Sequence, residues 1–161
     1  MVDSLPRERT VVRHARDTRT FIIVTATCAA VAVALNVALF AIGRATGAAL
    51  RVDPGWGEPN HLIILGDVVW KTVVPLALGA VVLALTARRS ARLTTITIVA
   101  GSAVAGISIP FVAMGAHDAL TAVLLSGMHA VTGMAYVVIG ISAHRYLVKT
   151  RPQSAEARPS R

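Results

Sequence analysis

The chain has 161 residues, 55% of them hydrophobic, and carries 16 Lys and Arg residues against 8 Asp and Glu. A soluble domain of this length rarely has so apolar a composition, and four membrane spans would leave no room for a second folded domain. The basic balance does not indicate nucleic-acid binding, because the charges lie between and around apolar stretches. The one cysteine, Cys28, excludes an intrachain disulfide and a Cys-x-x-Cys redox centre.

Four long stretches of the chain contain no Asp, Glu, Lys or Arg. Uncharged runs of about 17–25 residues match the ~30 Å hydrocarbon core of a bilayer at a rise of ~1.5 Å per residue. We therefore predict an all-α polytopic membrane protein, an antiparallel bundle of four transmembrane helices. The uncharged stretches are Thr20–Gly43, Thr72–Ala87, Leu93–His117 and Ala119–His144.

In chain order, the predicted regions are a basic cytoplasmic N-terminal arm, a transmembrane domain and a disordered cytoplasmic tail. The arm is expected to be disordered or frayed, because it is polar and rich in arginine. The three regions comprise residues 1–19, 20–147 and 148–161, and the spans lie at about 20–43, 66–87, 93–115 and 119–145.

Thirteen of the 16 Lys and Arg residues lie in the arm, in the turn between the second and third spans, and after the fourth span. Cytoplasmic segments carry such an excess of positive charge. Both termini and this turn are therefore predicted to be cytoplasmic, which requires an even number of spans. We expect a multi-pass protein of a bacterial plasma membrane, in contact with the lipid bilayer and with anionic lipid headgroups at its basic arms.

The first span has alanine at every fourth position of its central part. Small residues at that interval let another helix backbone approach closely, so the stripe predicts tight packing within the bundle or self-association. A homo-oligomer or a membrane-protein partner is expected on this ground. The same span carries Asn36 near its middle. The stripe consists of Ala26, Ala30, Ala34 and Ala38.

The longest connection outside the spans, residues 44–66, contains an Asp-Pro-Gly sequence that is typical of a turn. Just after it, Asp67 and Lys71 are four residues apart, so on a helix they face each other. They predict an ion pair at the outer interface that anchors the end of the second span. An ion pathway is the alternative interpretation of the same pair.

Small and polar residues of the fourth span recur at alternating intervals of four and three, so they share one helix face. Polar side chains in hydrocarbon seek protein partners. This face is therefore expected to point into the bundle, and the opposite face of Leu, Val and Ile toward lipid. The seam consists of Ala122, Ser126, His129, Gly133, Tyr136 and Gly140.

Together these features resemble an uncharacterised actinobacterial family of four-helix integral membrane proteins, domain of unknown function 6069. The resemblance rests on a first span ending in Gly43-Arg44, a Val-Asp sequence in the outer loop, a proline in the second span, an arginine-rich inner turn, and Met128-His129 followed by small residues. It covers roughly residues 20–147. It implies an integral membrane protein without an established activity. His129 is of interest because it occupies the histidine position of the family's Met-His pair, but the resemblance transfers no catalytic role to it.

His129 is the sharpest candidate for a functional residue, because a helix that starts after Asp118 places it ~16 Å deep, near mid-membrane. One interpretation is a neutral imidazole that hydrogen-bonds Asn36, Ser126 or Tyr136 and fixes helix packing, with Asn36 as the expected partner. The other is a functional ionisable group, since a charge at that depth costs several kcal/mol. The sequence leaves both open.

Four residues of the predicted outer surface are the types that bind metals, but lone His and Asp side chains on two loops indicate a metal site only weakly. A diheme cytochrome needs paired facing histidines, and only His129 lies in the middle of a span, so we do not expect this class of protein. A small four-helix multidrug exporter needs a carboxylate within its first span, where this chain has Asn36. We predict no catalytic, cofactor-binding or metal-binding residues, and no enzyme. The outer residues are His61, Asp67, His117 and Asp118.

Three functional hypotheses follow, from different classes. The favoured one is a non-enzymatic helical bundle that acts through assembly with itself or with another membrane protein. The second is a small transporter or channel in which His129 lines a polar cavity. The third is a membrane enzyme or cofactor carrier that uses His129 and the outer His and Asp residues.

Overall fold

The computed structural model describes residues 5–55 and 59–148, with side chains from residue 15 onward. In this part of the chain, four long helices follow one another, and each contains a stretch long and apolar enough to cross a membrane. The predicted fold class is thereby confirmed, because these helices pack against each other as an all-α bundle. The helices are α1 (Leu5–Thr46), α2 (Leu65–Arg89), α3 (Ala91–Gly115) and α4 (Ala119–Ala143), and α4 continues into a π-helix, His144–Val148.

The first helix begins at Leu5, so most of the arm that the sequence predicts to be disordered is helical. Arginine is a good helix former, and no glycine or proline occurs between residue 7 and the apolar span. The arm therefore extends the first span as one continuous helix. The predicted tail from residue 149 onward lies outside the described residues.

A single residue, Ser90, joins α2 to α3. Its backbone N–H donates to the carbonyl of Thr86 at 2.9 Å, which closes α2, and its hydroxyl accepts from the N–H of Leu93 at 3.4 Å, which caps α3. Serine suits this position because its side chain can satisfy a free N–H of the first turn. With so short a connection, α2 and α3 are antiparallel neighbours, as the sequence predicts.

Helix α4 is the centre of the bundle and contacts each of the other three helices. Its predicted seam faces α3, and an added Cβ on Gly140 would lie 2.8 Å from Cγ1 of Ile98. The remaining surface of α4 is expected to face lipid, and this holds only in part, because α1 and α2 also pack on α4. Exposed residues of that surface include Val123 and Val138, and buried ones include Leu124 and Ile139.

Helix α1 packs on the bundle with the face opposite the alanine stripe. All four residues of the alanine stripe (Ala26, Ala30, Ala34 and Ala38) are exposed, whereas Ala32 and Asn36 are each only 1% exposed. The prediction that the stripe packs tightly within the bundle is therefore wrong for the single chain. A spacing of four places residues on one helix face, but it does not determine which way that face turns.

The long connection between α1 and α2 forms a small sheet over one end of the bundle, here called the loop end. Strand β1 (Arg51–Val52) pairs antiparallel with β2 (His61–Leu62). The N–H of Asp53 donates to the carbonyl of Gly115 at 2.8 Å, so the sheet is fixed to the α3–α4 turn. Two-residue strands carry no periodic signal, and the turn residues alone do not predict them. The opposite end, with the α2–α3 turn and the π-helix, is here called the arginine end.

Candidate functional site

A polar cluster lies midway along the bundle, where three helices meet. Asn36 of α1 donates through Nδ2 to the hydroxyl oxygens of Thr72 in α2 at 2.9 Å and of Thr132 in α4 at 3.1 Å. Both threonines donate in turn to carbonyls four residues earlier in their own helices. One amide thus ties α1 to α2 and α4 by two interhelical hydrogen bonds, each of which contributes about 0.6–2 kcal/mol in a membrane.

The carboxamide oxygen of Asn36 is buried and has no hydrogen-bond partner among the described residues. An amide oxygen has two lone pairs, and neither is used here. A buried acceptor left unpaired costs about 1–3 kcal/mol. The cluster therefore contains one hydrogen-bond acceptor, Oδ1 of Asn36, that the contacts between the helices do not use.

His129 of α4 lies one helical turn from Thr132 and pairs with α3. Its Nδ1 is 2.7 Å from Oγ of Ser108. The prediction that Asn36 is its partner is wrong, because the Asn36 amide points to Thr72 and Thr132. Asn36 and His129 both lie near the middle of their spans, but depth does not fix which neighbouring helix a side chain faces.

The hydrogen bonds around Ser108 favour one tautomer of His129. Oγ of Ser108 donates to the carbonyl of Ala105 at 2.7 Å. A hydroxyl has one proton, so both contacts are satisfied when Nδ1–H of His129 donates to Ser108. This tautomer leaves Nε2 as an acceptor, and no described residue hydrogen-bonds to it. The imidazole joins α4 to α3 on one side and presents an open acceptor on the other.

Tyr136, another predicted candidate, holds its ring between two glycines of neighbouring helices. A Cβ added to Gly79 of α2 would lie 2.7 Å from Cε2 of the Tyr136 ring. A Cβ added to Gly101 of α3 would lie 2.4 Å from Cε1 of the same ring. The hydroxyl of Tyr136 donates to the carbonyl of Thr97 at 2.8 Å. Tyr136 is therefore a packing residue. The remaining candidate, Ser126, is partly buried and takes no part in the hydrogen bond to His129.

At the loop end, Asp67 is the centre of a charged cluster. Its Oδ1 lies 3.3 Å from Nζ of Lys71, and its Oδ2 lies 3.0 Å from Nε2 of His61. Oδ2 also accepts from the N–H of Ile64 at 3.2 Å. The sequence-predicted pair of Asp67 and Lys71 is in contact, and the third member is His61, which the sequence analysis grouped with Asp67 only as a candidate metal ligand. Because Asp67 lies in the first turn of α2, its negative charge is also favourable to the helix dipole.

A second His–Asp pair ties the sheet to the α3–α4 turn. Nε2 of His117 lies 3.0 Å from Oδ1 of Asp53, which also accepts from the N–H of Asn60. These two hydrogen bonds hold the pKa of Asp53 below its usual value. Asp118 accepts from the hydroxyl and the N–H of Thr121, which lowers the pKa of Asp118 and caps α4.

The outer His and Asp residues do not come together in one site. Each histidine pairs with a different aspartate, and Asp118 is used as a helix cap. Among the side chains that the structure describes, which begin at residue 15, no three His, Cys, Asp or Glu residues are placed to hold a metal ion. These groups anchor the loop to the ends of α2 and α4.

A protein-family model matches residues 16–145, which include nearly all of the four apolar helices. It describes a family of unknown function, DUF6069. The chain belongs to DUF6069. The resemblance to DUF6069 seen in the sequence is thereby confirmed, whereas its actinobacterial origin is not tested, and the family has no assigned activity. No curated protein and no solved structure matches the chain.

In this DUF6069 chain, sequence reasoning missed Ser108, Thr72 and Thr132. Hydroxyl side chains in spans often bond to carbonyls of their own helix, so their presence alone does not mark a site. The number of residues from the α3–α4 turn could have indicated Ser108 as a partner of His129. Along their antiparallel helices, the two residues lie at distances from this turn that differ by less than one helical turn. No such count finds Thr72 or Thr132, since they depend on how α1 and α2 rotate against α4.

Proposed function

We propose that this protein is a non-enzymatic helical bundle that acts through assembly with itself, and that the alanine stripe of α1 forms the interface. It resides in the bacterial plasma membrane with both termini in the cytoplasm. The proposal rests on one observation: all four alanines of the stripe are exposed on the surface of the single chain. The polar groups at mid-bundle serve mainly to hold the four helices in place.

The stripe differs from the lipid-facing surface of α2. Exposed positions of α2 carry large apolar side chains, such as Leu78 and Leu85, which suit contact with lipid tails. The alanine stripe instead presents a row of small side chains along α1, with exposed Val31 and Leu35 nearby on the same helix. In lipid, helices associate through close packing rather than a hydrophobic driving force, so such a row of small residues favours a second helix.

A second copy of the chain fits this row of alanines best. Two-fold dimers bring the same surface patch of each subunit together, which requires a self-complementary patch. A row of alanines meets this requirement, because two such rows cross without side-chain clashes. We therefore place the two-fold axis near Ala30 and Ala34.

Leucine in place of the two central alanines tests the proposal. The double variant Ala30→Leu/Ala34→Leu is expected to shift the purified protein from dimer to monomer, measured by light scattering in detergent. Its helical content and thermal unfolding are expected to match the wild type, because both side chains point away from the bundle. The matched control is Ala100→Leu/Ala103→Leu, which adds the same volume at two exposed positions of α3.

Three results would count against this interface. A wild type that is already monomeric in mild detergent and in nanodiscs would contradict self-assembly. Dissociation by the α3 variant, with the α1 variant still dimeric, would place the contact on another helix. A fall in thermal stability of the α1 variant without dissociation would show that the stripe supports the fold of the single chain.

A second candidate function is a small transporter or channel in which His129 takes part. The observation that favours it is the pair of unused acceptors at mid-bundle, Oδ1 of Asn36 and Nε2 of His129. Of the two, Oδ1 of Asn36 is buried, and buried polar atoms without protein partners are commonly satisfied by water. Proteoliposomes test this: wild type would dissipate a pH gradient faster than empty liposomes, and folded His129→Gln would not. Equal rates for wild type and empty liposomes would reject it.

A further inference from the structure

An open groove of about 330 Å³ lies between α3 and α4 at the arginine end. It is lined by Ile98, Ile141, His144 and Arg145. Ile98 is the eighth residue of α3 and packs on Gly140, whereas His144 and Arg145 come after the last residue of α4. The apolar part of the groove is therefore deeper in the bundle, and its basic part lies nearer the membrane surface.

The basic part of the groove is formed where the winding of the fourth helix changes. The N–H of His144 contacts the carbonyls of both Gly140 and Ile141, and the chain then continues as a π-helix to Val148. Single turns of π-helix occur frequently at functional sites, because the wider turn reorients the side chains that follow. Here the change of winding falls on the two basic residues that line the groove.

Arg145 is exposed, and its charge is not neutralised by the described residues. Its guanidinium lies 5.7 Å from the ring centroid of Tyr146, and no carboxylate of the described residues pairs with it. Of the four Asp residues whose side chains are described, three lie at the loop end and only Asp17 lies toward the arginine end. The described residues therefore leave the positive charge at the groove available to an anion.

We propose that this groove binds one anionic phospholipid, with its phosphate on Arg145 and His144 and the adjoining acyl chain against Ile98 and Ile141. A phospholipid carries its negative phosphate at the membrane surface and its methylene groups below, in the same order as the two parts of the groove. Arginine suits the headgroup because its planar guanidinium donates two parallel hydrogen bonds to phosphate. Basic pockets between helix ends on the cytoplasmic side are known to hold anionic lipids.

The groove suits a lipid better than a soluble anion for a physical reason. A free phosphate uses only the basic part and leaves the two isoleucines uncovered, whereas an acyl chain covers them. Ile141 is 58% exposed in the single chain, so it offers apolar surface to a bound chain. The groove is also open on its outer side, where an acyl chain can join the surrounding bilayer.

Native mass spectrometry of the full chain in detergent tests the proposal, with phosphatidylglycerol and phosphatidylcholine as the probes. The wild type is expected to retain one phosphatidylglycerol in preference to phosphatidylcholine. Arg145→Gln removes one charge-assisted contact and is expected to weaken phosphatidylglycerol binding about tenfold. Ile141→Ser, which keeps both basic residues, is expected to weaken the same binding. Circular dichroism checks that both variants remain helical.

The matched control is Arg89→Gln, which removes an equal charge from an exposed position at the same end but outside the groove. It is expected to change the affinity by less than about twofold, because Arg89 does not line the groove and its charge acts on the lipid only at a distance, where salt screens it. Equal weakening by Arg89→Gln and Arg145→Gln would overturn the site in favour of diffuse attraction. Equal retention of both lipids by the wild type would also overturn it. Displacement of phosphatidylglycerol by inorganic phosphate would assign the groove to a soluble anion.

Discussion

Asn36 and His129 each join helices through one nitrogen and leave a second hydrogen-bonding atom unused. Asn36 holds α1 to α2 and α4, whereas His129 holds α4 to α3 through Ser108. A polar group in hydrocarbon is costly unless the protein satisfies it, which keeps both side chains inside the bundle. Because the two sets of hydrogen bonds involve different partners, they are expected to act independently on stability.

A double-mutant cycle tests this independence. His129→Leu and Ser108→Ala each break the same hydrogen bond, so their effects on the free energy of unfolding are expected to show a coupling of about 0.6–2 kcal/mol. His129→Leu combined with Asn36→Leu is expected to be additive within about 0.5 kcal/mol. Unfolding in detergent gives these values. Strong coupling to Asn36 and none to Ser108 would contradict the hydrogen bonds described here.

At the scale of the helices, Tyr136 sets how closely α2 and α3 approach α4. Its ring occupies the space that a side chain at Gly79 or Gly101 would fill. Glycine is required at both positions because the added Cβ would meet the rigid ring rather than a flexible chain end. One aromatic residue of α4 thus fixes the distance to two neighbouring helices.

Alanine at two glycines of α3 gives a matched comparison. Gly101→Ala is expected to destabilise the protein by about 1–3 kcal/mol, because its Cβ would lie 2.4 Å from the Tyr136 ring. Gly106→Ala on the same helix meets nothing within 4 Å, so it is expected to be neutral or slightly stabilising. Thermal unfolding in detergent distinguishes them. Equal effects of the two substitutions would contradict the close packing at Tyr136.

The elements show what sequence patterns determine in a membrane bundle. Charge-free stretches predicted all four helices, and short charged turns predicted that α2 and α3 are antiparallel neighbours. The patterns also predicted that Asn36 is buried at mid-span but assigned it the wrong partner. Spacing shows which residues share a face, whereas the rotation of each helix depends on packing with the others. The alanine stripe was misplaced for the same reason.

At the scale of the whole molecule, the two ends of the bundle differ in charge balance. Among the described residues of the loop end, three Asp are balanced by three Lys and Arg residues, and the His–Asp pairs anchor the sheet. At the arginine end, the described basic residues face Asp17 alone. Such an imbalance favours the cytoplasmic side for the arginine end. The basic residues there are Arg16, Arg19, Arg88, Arg89, Arg92 and Arg145.

Cysteine labelling in intact cells tests this orientation. In a Cys28→Ala background, Gly55→Cys at the loop end is expected to react with a membrane-impermeant maleimide. Ala91→Cys at the arginine end is expected to react only after the membrane is permeabilised. Both positions are exposed, so accessibility within the fold does not limit either reaction. Reaction of Ala91→Cys in intact cells would reverse the orientation.

The central claim, self-assembly through α1, is tested most directly by disulfide crosslinking in native membranes. In a Cys28→Ala background, Ala34→Cys places a thiol at the centre of the alanine stripe, and Leu78→Cys places one on the exposed surface of α2. Mild oxidation is expected to give a covalent dimer on a non-reducing gel for Ala34→Cys and only monomer for Leu78→Cys. A dimer of Leu78→Cys with monomeric Ala34→Cys would contradict the claim.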